Sequence, residues 1–146
     1  MKGKILKLFI TRDDVEKTRE SLRAIQADEN GIIDDKFYAK NSDRSILITS
    51  LESYELSKNS GINIEYGALG ENILIDINPY SLESGSQLQI GGVTLEITQN
   101  CTLCKGLSSI NKQLPKLLKT ERGIFAKVIS NSGTISLDDK VVIFNH

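Results

Sequence analysis

Histidine, cysteine and proline are scarce in this 146-residue chain, and most of what it can do follows from that. The single histidine is the last residue, His146, and there are two cysteines and two prolines. A Ser/His/Asp triad therefore has no imidazole in the body of the chain. An intramolecular structural zinc, which takes about four ligands, is short of donors. No apolar run approaches the roughly 20 residues that span a bilayer. The segment Met1-Lys2-Gly3-Lys4-Ile5 lacks the apolar stretch of a secretory signal. These absences give the expectation of a cytoplasmic protein with no membrane contact. In a reducing cytosol the two cysteines are expected as free thiols.

Charge of one sign is also lacking. Lysine and arginine total 18 against 19 aspartates and glutamates, a net charge of −1. That balance argues against a broad nucleic-acid surface or a polybasic membrane patch. Tyr38, Tyr54, Tyr66 and Tyr80 are scattered rather than interleaved with basic residues, so no stacking platform for nucleic acid is expected. No phosphate-cradling P-loop and no dinucleotide fingerprint is present. No iron–sulfur or flavin motif is present either, and no pyridoxal phosphate site is expected.

What is there reads as one β-rich domain over residues 1–146, mainly β with a few short helices. Glycines and polar clusters punctuate the chain every ten residues or so, the rhythm of short strands. Strands are expected at Lys4 to Ile10, Ser45 to Thr49, Asn72 to Ile77, Ile124 to Ser130, Thr134 to Ser136 and Lys140 to Phe144. Ile62 to Glu65 reads as a short extended run. Leu88 to Ile90 and Val93 to Ile97 alternate around Gly91-Gly92, a hairpin. Asp13 to Ala24, acidic first and basic later, reads as a surface helix capped by Asp13 or Thr11. Ser50 caps a second helix through Lys58, ended by Asn59-Ser60-Gly61. Leu107, Ile110, Leu114, Leu117 and Leu118 recur at helical spacing, with Pro115 as a break or restart.

Both cysteines lie together in Thr98-Gln99-Asn100-Cys101-Thr102-Leu103-Cys104, at the exit of the strand-like run Leu88 to Ile97. Thiols are the only soft nucleophiles among the side chains, so sulfur chemistry in this protein is expected at that exit. Gly70-Glu71-Asn72-Ile73 lies upstream, Leu88 to Gln99 leads in, and Arg122-Gly123-Ile124-Phe125-Ala126 and Gly133 to Asp139 follow. In that order and spacing these segments resemble the MOSC domain, named after the C-terminal domain of molybdenum cofactor sulfurase. The likeness reaches back to Gly31 to Lys36 and Arg44 to Ile48, and covers roughly residues 1–144. It implies a distorted β-barrel, and extended chain rather than helix near Leu22 to Ala27.

The resemblance also implies roles. Cys104 matches the family's loop cysteine, implied to carry a persulfide sulfur or to ligate molybdenum in the pyranopterin cofactor, chemistry that needs a thiolate. Taken on residues alone, it is more simply a small buried hydrophobe. Arg122 and Gly123 belong to the segment that lies near the family's cofactor pocket, and an arginine fork suits a phosphate or a pterin edge. The plain alternative is a surface arginine beginning a strand. Arg44 is read the same way. Asn72 either meets the ligand or satisfies a turn, and Glu71 is read as fixing backbone. Two departures stand out. Cys101 sits where the family often has arginine, which creates Cys101-x-x-Cys104, the spacing of redox pairs. Asp34-Asp35-Lys36 lacks the glycine and histidine of the family's "G-D-x-H".

The implied function is binding of the molybdenum cofactor, or carriage of its sulfur, through a reactive cysteine. Two activities are implied: sulfur transfer with a donor or acceptor protein, and reduction of N-hydroxylated compounds with an electron-donor protein. The alternative is a non-catalytic module that binds pterin or protein and delivers cofactor.

Overall fold

The structure, a computed structural model, describes residues 1–16, 18–102 and 106–144. Its strands are β1 (Lys2–Thr11), β2 (Arg19–Leu22), β3 (Ala24–Asp28), β4 (Gly31–Ile32), β5 (Ile46–Ser50), β6 (Ile73–Ile75), β7 (Gln87–Ile90), β8 (Val93–Asn100), β9 (Ile124–Ser130), β10 (Gly133–Ser136) and β11 (Lys140–Phe144). Its α-helices are α1 (Leu51–Asn59), α2 (Leu107–Ile110) and α3 (Leu114–Leu117).

Seven strands close on themselves. The order β11-β7-β8-β9-β5-β6-β1 is completed where Lys2 to Lys4 of β1 pair with Lys140 to Val142 of β11. Closure removes the exposed edges that an open sheet must protect. β2 hangs on β1 outside the ring, and β10, β3 and β4 form a second, three-stranded sheet. Neighbours β5 and β6 run parallel, Ile48 opposite Ile73, and α1 lies in the crossover between them.

Period-two alternation decides what faces the barrel interior. Ile46 and Ile48, Ile73 and Ile75, Leu95 and Ile97, and Ile124 and Ala126 fill it. Burying each of the larger side chains contributes roughly 1.5–3 kcal/mol. The residues between them point the other way. Leu47 and Phe125 meet Cys101 in one small outer cluster, while Leu74 packs with Tyr54, Leu69, Leu107 and Leu114 in another. The outer faces of β5, β6 and β9 are thus covered as well, and the candidate site forms there.

Among the described residues of Asp13 to Ala24 the expected helix is absent. Arg19 to Leu22 instead runs antiparallel to β1, with Leu8 opposite Leu22. Ile25 and Ala27 alternate into the core from β3. Pairing with β1 wins because it satisfies the backbone of Arg19 to Leu22 and packs Leu22 against the core, while Val15 and Ala24 stay exposed. The extended chain implied by the resemblance is what forms. Ile62 to Glu65 forms no strand. The other expected elements are present. Ser50 stands at the N-cap of α1, although its hydroxyl donates to Glu52 rather than capping a backbone N–H. Pro115 lies in the first turn of α3, so it restarts a helix rather than interrupting one.

Candidate functional site

The exit of β8 and the entry to β9 run side by side. A register irregularity between Ile97 and Gln99 re-aims the end of β8. The Cys101 amide then donates to the Gly123 carbonyl at 3.0 Å. Gly123 is required by close approach: an added Cβ would lie 2.9 Å from Leu47 Cδ1 and 3.3 Å from the Ile48 carbonyl oxygen. Gly123 packs the strands and does not line the cavity described below. The backbone pairing places Arg122 beside Cys101, and Arg122 Nη1 donates to Cys101 Sγ at 3.2 Å. Cys101 is 3 % exposed. Arg122 Nε is buried with no hydrogen-bond partner among the described residues.

Sequence reasoning took Cys101 as the loss of an arginine. In the fold Arg122 reaches back to that very position, so a guanidinium is present there after all. Cys104, the residue expected to carry sulfur or ligate metal, lies outside the described residues.

The Gly70-Glu71-Asn72 segment closes the site from the other side. Gly70 has φ 84°, the left-handed region open to glycine, and a Cβ there would meet nothing within 4 Å. Glu71 is fully buried. Its Oε2 accepts from Thr49 Oγ1 at 2.7 Å and from the Tyr54 hydroxyl, while Oε1 has no hydrogen-bond partner among the described residues and lies 4.0 Å from Arg19 Nη2. Burial, and then the Glu71 charge, hold the Tyr54 phenol neutral far above its ordinary range. Burial also lowers the Arg19 pKa, with Glu71 opposing it. Arg19 donates in turn to the Gly67 and Glu71 carbonyls at 3.0 and 2.8 Å.

Asn72 is a clasp. Its Oδ1 accepts from the Leu47 amide at 3.0 Å, and its Nδ2 donates to the Phe9 carbonyl and to Asp35 Oδ1, both at 3.2 Å. It lines the cavity, but its amide holds β5, β1 and the Asp35 corner together. Asp35 continues the chain of contacts, accepting from the Thr11 and Phe37 amides at 2.8 and 3.1 Å. Asp34 beside it has φ 74°. A left-handed residue at this corner gives the physical reason for glycine in the pattern the chain departs from.

These elements enclose a cavity of about 660 Å³ on the outer face of the barrel. Arg122, Arg44, Asn72 and Cys101 all line it, as the sequence grouping of the first three anticipated. Lys36, Lys40 and the rings of Phe37 and Phe125 also line it, and these were not foreseen as site residues. Arg44 lies over the Phe125 ring at 5.2 Å, and Lys36 Nζ over Phe37 at 4.9 Å. None of Lys36, Lys40, Arg44 or Arg122 pairs with a carboxylate among the described residues, and no described carboxylate lines the cavity. The available signal was the four-residue spacing of Lys36, Lys40 and Arg44. Only a turn-rich backbone folds that spacing onto one wall: Ala39 has φ 60°, and Asn41 caps the 3₁₀ turn Ser42–Arg44.

Comparison with known proteins gives three results. The family model described as the MOSC domain matches residues 34–142. No curated protein matches the sequence. Among solved structures, the chain is similar to the YuaD protein of Bacillus subtilis at 19 % identity and a TM-score of 0.83, over 97 % of this chain and 94 % of that one. It is similar to YiiM of Geobacillus stearothermophilus at 16 % identity and a TM-score of 0.73, over 98 % and 75 %. For YiiM of Escherichia coli the values are 16 % and 0.70, over 100 % and 71 %. At these identities the structures share the fold.

Proposed function

From the premise that the chain belongs to the MOSC domain family, we propose that its cavity binds the molybdenum cofactor and serves handling of that cofactor or its sulfur. The observation that carries this reading is charge. Lys36, Lys40, Arg44 and Arg122 face one cavity without carboxylate partners among the described residues, on a chain whose net charge is −1. Four cations facing one cavity, with aspartates near Lys36 and Lys40 only on the far wall, repel each other less when an anion joins them, so the cavity suits a polyanion.

The residues present fit an anionic pyranopterin. The unpartnered buried Nε of Arg122 is a donor awaiting an acceptor. Arg44 and the two lysines supply further charge, Phe125 a flat apolar wall, and Gly70 open space. Arg122 and Arg44 would hold a phosphate or the polar pterin edge. When bound, the cofactor supplies the redox and sulfur chemistry of molybdenum. The chain's own contribution is to bind it, orient it and present thiols. Cys104 is the proposed sulfur carrier or metal ligand; Cys101 and its arginine line the cavity. A sulfur donor or acceptor protein is the proposed partner, an electron donor would be needed for any reduction, and the cytoplasm is the proposed setting. The cavity's described lining of cations, amides and apolar groups also suits a module that holds cofactor and hands it on.

Replacing Arg122 with alanine tests the reading. Affinity for the cofactor is expected to fall by about 1.5–3 kcal/mol, the range of a charge-assisted hydrogen bond. The thermal melt should be nearly unchanged, because Arg122 makes no ion pair and only one side-chain hydrogen bond among the described residues. A collapsed melt would make Arg122 structural. Unchanged melt and unchanged binding would put the site elsewhere.

A further inference from the structure

Ser50, Ser53 and Tyr80 are buried, and none of them lines the cavity. Their hydrogen bonds nevertheless end at the peptide that carries Arg122. The Ser53 hydroxyl, on the first turn of α1, donates to the Glu121 carbonyl. A carbonyl only accepts, so the single Ser53 hydroxyl proton lies in that bond. The contact between Ser53 Oγ and Tyr80 Oη, at 2.6 Å, must then take its proton from Tyr80. Tyr80 Oη in turn accepts from the Ser50 amide at 2.7 Å. Burial pushes the Tyr80 phenol up to about 12, so it keeps that proton at neutral pH. The chain therefore runs one way, from the Ser50 amide through Tyr80 and Ser53 to Glu121.

Arg122 is thereby gripped from both sides. The peptide before it is fixed to α1 by Ser53, and one residue after it the Gly123 carbonyl is fixed by the Cys101 amide. Its own side chain has a single hydrogen bond among the described residues, to Cys101 Sγ, and its buried Nε has none. A side chain with so few anchors takes its direction from the backbone that bears it, and a binding group is only as precise as that support. We propose that Ser53 is a positioning residue for Arg122: by fixing the peptide between Glu121 and Arg122 from the first turn of α1, it aims the guanidinium into the cavity. This rests on the cofactor reading above for what Arg122 holds, but the aim of Arg122 can be read with no cofactor present.

The test is a double-mutant cycle on the full chain, titrated with isolated molybdenum cofactor. Ser53→Ala is expected to weaken binding by about three- to ten-fold, within the coupling shown by residues that act together. In an Arg122→Ala background the same substitution should change affinity by less than about two-fold, whereas in a Lys40→Ala background its full effect should remain. Tyr80→Phe is the control for stability. It leaves the Ser50 amide unpaired and should also lower the melt, yet Ser53 keeps its bond to Glu121, so binding should fall less than in Ser53→Ala. Ser53→Cys, a weaker donor, should bind between wild type and alanine, and it carries the test if the alanine variant fails to fold. Alkylation of Cys101, followed by peptide fragmentation, reads the aim of Arg122 without cofactor. Arg122→Ala should uncover the thiol and speed labelling, and Ser53→Ala should move the rate in the same direction. Unchanged affinity in Ser53→Ala, a loss that persists in the Arg122→Ala background, or a wild-type labelling rate at Cys101 would overturn the inference. Cofactor binding that depends on Arg122 but not on Ser53 would leave the cofactor reading standing and sink this one alone. A chain that binds no cofactor, with labelling still faster in Ser53→Ala, would sink the cofactor reading and leave the positioning of Arg122 by Ser53 intact.

Discussion

Glu71→Ala is expected to destabilise the fold by about 2–4 kcal/mol, the cost of leaving two buried hydroxyls without their acceptor and a void behind. Alanine would leave the Thr49 hydroxyl and the Tyr54 phenol without their shared acceptor, and would remove the carboxylate 4.0 Å from Arg19. It would also open a void under the loop that bears Gly70. Glu71→Gln keeps an acceptor and the volume, so it should cost less than half as much. Urea unfolding of the two variants decides the matter. A loss below about 1 kcal/mol in Glu71→Ala would mean that the carboxylate is not what anchors this loop.

The second large effect is on binding. Lys40→Glu combined with Arg44→Glu should weaken cofactor affinity by about 3 kcal/mol or more, above 100-fold, since two cations are lost and two anions gained at one rim. Lys40 is exposed and Arg44 only half-buried, so the melt should move little. The wild-type affinity should fall as salt is raised, because rim charges are screened over about 10 Å at 0.1 M. Binding unchanged by the double reversal would show that the ligand is not held by charge.

The strands were legible because alternation is written plainly in Val93 to Ile97 and Ile124 to Val128, and because Gly91 takes a hairpin turn with φ 59°; closure into a barrel was legible only through the family resemblance. The stretch from Asp13 to Ala24 misled because its charge order mimics a helix, while its burial depends on β1, a partner that local pattern does not contain. The site was half legible. Arg122, Arg44 and Asn72, grouped by segment order, line one cavity. Lys36 and Lys40 were not so grouped, since their convergence depends on left-handed residues at Asp34 and Ala39, positions where sequence favours neither residue strongly. The role of Asn72 needed coordinates too. A motif asparagine reads as a ligand contact or as satisfying a turn; its bonds to Leu47, Phe9 and Asp35 make it a clasp between elements that also lines the cavity. Cys101 was read as a missing arginine, when the fold returns Arg122 to its thiol.

The most direct test of the central claim is the molybdenum and pterin content of the full chain purified from cofactor-competent cells, beside the Lys40→Glu, Arg44→Glu variant prepared in parallel. The account predicts about one molybdenum and one pterin per wild-type chain, and loss of both from the variant, which should melt with the cofactor-free wild type and below the loaded one, since the rim cations hold the anion. A wild-type chain free of pterin that also fails to take up added cofactor would contradict it.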